Sequence, residues 1–330
     1  MKYFLKIIRE EKGSVLVTIT LAMVALLGVT ALVVDAGLAY AERVKLNNAV
    51  DAAALAGVQE MASGLDVSLT EEAARDYALL NAPDLDENLL SIQVNKEENR
   101  VVVSARKVMG LFFARVLNFF EADIGARAVA SFRYPTQVTQ VKNGNVLPLF
   151  ISQEVYEGTL NEDGSINEDL QINLMGSDNF HVIIDGREVP GNWGALNFEH
   201  GTSSFVAALE GSLETVINME AGSWYEQGTK TGTMGVNVKK AVDKRLAEGS
   251  SVPSYGLIPI VDAVEDKGGG KVAVHICGFA IFNITGTRHD PPGWTIEGHL
   301  KNGTSIPDFN GSTSEEETYN YGARVLTLVE

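Results

Sequence analysis

Across 330 residues the chain carries 43 acidic and 26 basic side chains, a net charge of −17. Setting aside the first 34 residues, with four basic and two acidic, leaves 22 against 41, a net charge of −19. Such a surface repels nucleic acid and anionic lipid, which excludes both as electrostatic partners of the bulk of the chain. At 45% hydrophobic residues it can bury a core, and with Cys277 as its single cysteine it forms no internal disulfide.

Val15 to Val34 is a run of 20 residues without a charge. A helix rises about 1.5 Å per residue, so this run covers roughly 30 Å, the thickness of a bilayer's hydrocarbon. It predicts a single transmembrane helix, with Val15, Leu21, Leu26 and Val34 against lipid. Lys2, Lys6, Arg9 and Lys12 precede the run, and only Arg43 and Lys45 follow closely. Positive residues stay inside, so residues 1–14 read as a cytoplasmic tail and residues 35–330 as lying outside the cell membrane. A cleaved signal peptide is the competing reading, with Ala39-Tyr40-Ala41 as the small-x-small site. The apolar core of such a peptide is 7–15 residues long, and this one is longer, which favours a retained anchor.

The helical pattern continues from Asp35 through about Ala62, dense in Ala and Gly. Small side chains let another backbone approach closely, so the segment that contains Asp35, Asn48, Asp51, Ala53 and Leu55 is a candidate helix interface for partners or self-association. The alternative is that residues 52–56 pack on the chain's own domain. Asp35 is read as marking the lipid–water boundary. Ser68-Leu69-Thr70-Glu71 has the form of a capping box, opening a second helix to Asn81 ahead of Pro83. Leu89–Asn95 and Arg100–Lys107 alternate as a strand pair, Gly110–Phe120 has helical spacing, and Ala122–Phe132 alternates again. Residues 35–133 thus predict a small membrane-proximal α+β domain. Residues 134–145, with Pro135 and Asn143-Gly144-Asn145, read as a linker.

Residues 146–330 read as a β-rich domain. Strands are expected at Val146–Ile151, Leu170–Leu174, Phe180–Asp185, Gly256–Val264, Val272–Ile284, Thr295–Leu300 and Ala323–Val329, with one helix near Val236–Leu246. Strands without intervening helices predict a mainly antiparallel, sandwich-like sheet, and the fold class overall is α+β.

Signals for chemistry are weak. The five histidines never fall at a ligand spacing such as H-x-x-x-H. Thr159 to Leu170 has Thr and Leu where a calcium loop needs Asp and Glu, so Asp163-Gly164 reads as a hairpin turn. Cys277 lies between apolar neighbours, which favours a buried thiol over a nucleophile. No catalytic, cofactor or metal site is expected. Trp193, Trp224 and Trp294 stand in Gly- or Pro-flanked loops and form a candidate surface patch, the alternative being loop anchors tucked onto the sheet.

Lys12-Gly13-Ser14 before the apolar run, Val34-Asp35-Ala36-Gly37 at its outer end and the block Asn47 to Gly57 (NNAVDAAALAG) resemble, in that order, the N-terminus of TadG-like proteins of the Tad, or Flp pilus, assembly system. The resemblance covers roughly residues 12–62 and implies a membrane-anchored, non-enzymatic component that contacts pilus-assembly or pilin-like proteins. Two departures stand out. Some of these proteins carry a von Willebrand-type domain with D-x-S-x-S, which is missing here. Related pilin-like proteins are cut after a Gly and carry Glu at the fifth mature position, whereas here Gly13 would be followed by Thr18 at that place. A second function, in another class, is a surface-binding protein whose distal β domain recognises a carbohydrate or other ligand.

Overall fold

The computed structural model describes residues 11–329 apart from 175–182, 185–186, 189–193, 197, 199–201, 229–234, 269–270, 291–292 and 307. Helix α1, Glu11–Ala62, runs for 52 residues, about 78 Å, through both the apolar run and the Ala-rich block. It stops where Gly64, at φ +87°, turns the chain and its N–H donates to Met61 O. Helix α2, Val67–Asn81, follows. Here the expected capping box is corrected: Asp66 is the N-cap, its side chain accepts no capping hydrogen bond, and Ser68 is already inside the helix.

Strands β1, Leu90–Asn95, and β2, Arg100–Gly110, form an antiparallel hairpin in the register Leu90↔Ala105 to Asn95↔Arg100. Helical spacing at Gly110–Phe120 yields only a single 3-10 turn, Ala114–Leu117. Strand β3 is a single ribbon, Glu121–Val141. Residues 134–141, expected as part of a linker, are therefore strand. Pro135 is tolerated because its partner segment slips register there, so the missing N–H interrupts no regular ladder.

Beyond the Asn143-Gly144-Asn145 turn come β4, Ile151–Ser152, the short helix α3, Gln153–Glu157, and β5, Ile172–Leu174. Next are the small pair β6, Ile183–Ile184, and β7, Arg187–Glu188. Helix α4, Thr202–Leu209, precedes β8, Thr215–Glu220, and β9, Ser223–Gly228. Then follow helix α5, Val236–Arg245, β10, Tyr255–Gly268, β11, Lys271–Asp290, and β12, Gly293–Lys301. Last are β13, Thr304–Ser305, β14, Gly311–Ser314, and β15, Ala323–Val329. The expected strand at Val146–Ile151 shrinks to β4 and two isolated bridges, and the predicted Phe180–Asp185 lies partly outside the described residues.

One sheet runs β1-β2-β3-β15-β13, with β8 and β14 also on β3; the other runs β4-β10-β11-β12-β5, with β9 on β11. All pairings are antiparallel except β4–β10 and β13–β15. Alternation along the second sheet fills two cores. Ile258, Ile260, Phe282 and Ile284 face Phe205 and Leu209 of α4 and Val238 and Val242 of α5. Leu257, Val261, Phe279 and Ile281 face Val138 and Val141 of β3, Met219 of β8 and Val325 of β15. The distal part is thus a helix layer, a sheet and a second sheet, built around the long β3.

The third core is membrane-proximal. Leu46, Ala49, Val50, Ala53, Ala54 and Val58 of α1 pack on Ala74 and Ala78 of α2 and on Val101, Val103, Ile124 and Ala128 of the sheet. Strand β15 pairs with residues 129–133 of β3, so the end of the chain completes the sheet that the beginning covers.

Candidate membrane and assembly interface

Residues 15–34 expose their side chains all round, Ala31 alone being half-buried. A helix that is apolar on every face and packs on nothing suits lipid. Of its three threonine hydroxyls, two have their bonds placed inside the helix, Thr20 Oγ1 donating to Leu16 O and Thr30 Oγ1 to Leu26 O, both at 2.8 Å, which keeps these two paired in hydrocarbon. Val15, Leu21, Leu26 and Val34 are all exposed there.

The next residue changes role. Asp35 is buried, 3% exposed, and its carboxylate accepts three backbone N–H groups from the β2–β3 turn: Phe112 at 3.0 Å, Phe113 at 2.9 Å and Ala114 at 2.7 Å. Burial pushes its pKa up, but the three N–H donors, with Arg115 nearby, outweigh that and hold it below the usual carboxylate value. Asp35 is therefore a latch between anchor and hairpin, a partner set that its position in sequence does not announce.

Further along α1 the same hairpin is pinned twice. Lys107 Nζ donates to Glu42 and to Asp84, each at 2.5 Å, while Lys45 Nζ reaches Asp84 at 2.8 Å. The side-chain bonds from Lys107 and Lys45 hold Asp84 far below the ordinary carboxylate range. Burial pulls the Lys107 pKa down, yet its two carboxylate partners raise it overall. At Gly57 an added Cβ would lie 3.1 Å from both Ala74 Cβ and Val101 Cγ1, so the small residue is what lets α2 and β2 close on the helix. The three contacts run in opposite order on the two elements, Gly57 with Val101, Glu42 with Lys107 and Asp35 with Phe112. From Gly57 to Asp35 is about 33 Å of helix, and from Val101 to Phe112 about 36 Å of strand. The β2–β3 hairpin lies antiparallel on α1, and its tip lies at the end of the apolar run.

This packing sorts the candidate interface residues. Ala53 is fully buried in the chain's own core, and Asp51 and Leu55 are half-buried. Asn48 is exposed. The open side of α1 carries Gly37, Ala41, Val44 and Asn48, which recur at helical spacing and are all exposed. No atom lies within 4 Å of a Cβ placed on Gly37. Ala39-Tyr40-Ala41 sits within unbroken helix, with Ala39 packed against the proximal core.

Elsewhere, Trp224 and Trp294 are strand residues, not loop residues. They pair with His275 and His289 of β11, fourteen residues apart, or about 46 Å along the strand. Trp193 lies outside the described residues. Trp224 rests on His275, whose Nδ1 is 2.6 Å from Asp262; Trp294 meets His289 edge-on. Cys277 donates to Ile260 O, and burial pushes its thiol up to about 11, away from reactivity. Among the described residues no three His, Cys, Asp or Glu side chains converge as metal ligands.

The segment that builds this interface is the one that matches a family model. Residues 13–60 match the Tad family, TadE/G-like Flp pilus assembly. Comparison with curated proteins and with solved structures finds no match. The Tad match spans nearly all of α1: the apolar run, the Asp35 latch, and the Ala-rich part buried against α2 and β2. Residues beyond 60, Asp84 and Lys107 among them, lie outside it.

Proposed function

We propose that the chain is a single-pass, non-enzymatic component of Tad-type pilus assembly or secretion, with residues 1–14 cytoplasmic and the two sheets outside the cell membrane. It works through protein contacts made by the open side of α1, continuing from the lipid into water. The carrying observation is that the Tad match coincides with one unbroken helix that is uncharged over residues 15–34 and beyond them leaves the Gly37-Ala41-Val44-Asn48 face uncovered. Small residues on such a face allow close helix–helix approach. The basic residues ahead of the run support the orientation.

The test is complementation of a strain lacking this chain. Ala41→Leu with Asn48→Leu, both at exposed positions, is expected to leave membrane levels intact while surface pili are lost. Normal piliation by that double variant contradicts a role for this face. Unchanged piliation in the deletion strain itself contradicts the assembly role.

A further inference from the structure

The turn between β2 and β3 is unusually apolar for an exposed segment. Residues 111–120 read LFFARVLNFF, with seven large apolar side chains and a single charge, Arg115. The turn is folded. Leu111 N–H donates to Phe120 O at 2.9 Å, Phe119 N–H to Ala114 O at 3.1 Å, and Asn118 takes a left-handed φ of +68° to close it. Ala114 turns inward and Leu111 is half-buried. Phe112 is 70% exposed, Val116 89% and Phe119 63%, and Phe113, Leu117 and Phe120 are also exposed. Such a cluster on a protein in water marks a contact surface.

Its position identifies the contact. Asp35 is the first residue after the apolar run, and it holds the amides of Phe112, Phe113 and Ala114. The turn is therefore fixed at the level where the transmembrane helix leaves hydrocarbon, and β2 approaches that level from the far side. We propose that residues 111–120 form a second membrane contact, a fixed apolar tip seated in the outer interface of the bilayer that holds the anchor. Apolar burial drives it, since the acidic surface as a whole does not favour lipid. Aromatic and aliphatic side chains partition into the boundary between headgroups and acyl chains, about 5–10 Å deep for an interfacial element. Arg115 is exposed in the same turn, where a headgroup phosphate can reach it. The consequence is orientational. A helix alone leaves the outer domain free to swing, whereas two contacts joined by Asp35 fix which face of α1 points along the membrane and which toward a neighbour.

The proposal rests on residues 15–34 lying in a bilayer, and the test separates the two. The full chain with Cys277→Ser is labelled with an environment-sensitive fluorophore at Leu21→Cys, Phe119→Cys or Val216→Cys and placed in phosphatidylcholine vesicles containing nitroxide lipids. The expected result is loss of fluorescence at Phe119→Cys, stronger with a headgroup-level nitroxide than a mid-chain one. Leu21→Cys loses more to the mid-chain nitroxide, and Val216→Cys, on β8, is unaffected. Quenching at Leu21→Cys with none at Phe119→Cys overturns the tip contact and leaves the anchor standing. No quenching at Leu21→Cys overturns both.

Discussion

Asp35 joins a lipid-facing helix to a folded hairpin through three main-chain donors. Replacing it with Ala leaves those N–H groups without an acceptor at a site shielded from water, so the turn is expected to loosen while the sheet persists. Hydrogen exchange in lipid nanodiscs checks this: in Asp35→Ala, amides 112–114 lose protection and those of β11 keep it. Arg245 plays a comparable role distally. It is 1% exposed, and its guanidinium donates to Pro253 O, Leu209 O, Gly144 O and Tyr255 O, with no carboxylate among them; burial lowers its pKa to about 10. Arg245→Ala removes the donor from four carbonyls in buried or part-buried bonds and is expected to cost about 3 kcal/mol or more, read as a lower midpoint of denaturant unfolding. Neither role was legible in the sequence, because the partners are backbone groups that carry no residue identity.

At the scale of elements, α1 and the β1–β2–β3 hairpin are held by close packing and by the Glu42–Lys107–Asp84–Lys45 ion pairs. Gly57→Val puts new methyl groups against Ala74 and Val101, an overpacking expected to cost about 1–3 kcal/mol, checked by thermal unfolding in detergent. The ion pairs set a pH dependence. Asp84 and Asp35 titrate lower in the folded chain than in the unfolded one. Their contribution is complete above the ordinary carboxylate value of 3.8 and is lost as pH falls through their folded values. The Tm gap between wild type and Asp84→Asn is therefore expected to hold at pH 5–7 and to close as the pH drops below about 4. The long helix was legible from its uncharged run and the Ala-rich block that continues it, the β1–β2 pair from its alternation across a charged turn, and β15 from a short apolar run just after Gly322. Residues 111–120 form a turn although their apolar residues recur at helical spacing: those side chains are mostly outward-facing, and the Asp35 latch outside that window fixes the turn.

At the scale of the whole molecule, β3 is the axis. Its first half belongs with α1 and its second half with the distal cores, so a sequence reading that places a linker at 134–145 cuts through a strand. Pro135 and the polar residues around it signal a break, but β8 and β14 pair across them. Strand β15 likewise returns to the proximal sheet from the far end of the chain, a pairing with no local signal. Removing residues 323–329 is expected to expose the edge of β3 and to destabilise the membrane-proximal core along with the distal one, seen as a single lowered transition and increased aggregation. The central claim, that the open side of α1 contacts the assembly machinery, is tested most directly by crosslinking in intact cells from a photoreactive residue at Val44 or Asn48, with one at Ala53 as the buried control. The account predicts capture of pilus or platform proteins from Val44 and Asn48 and none from Ala53. Crosslinks from neither exposed position, with the protein folded and present in the membrane, contradict it.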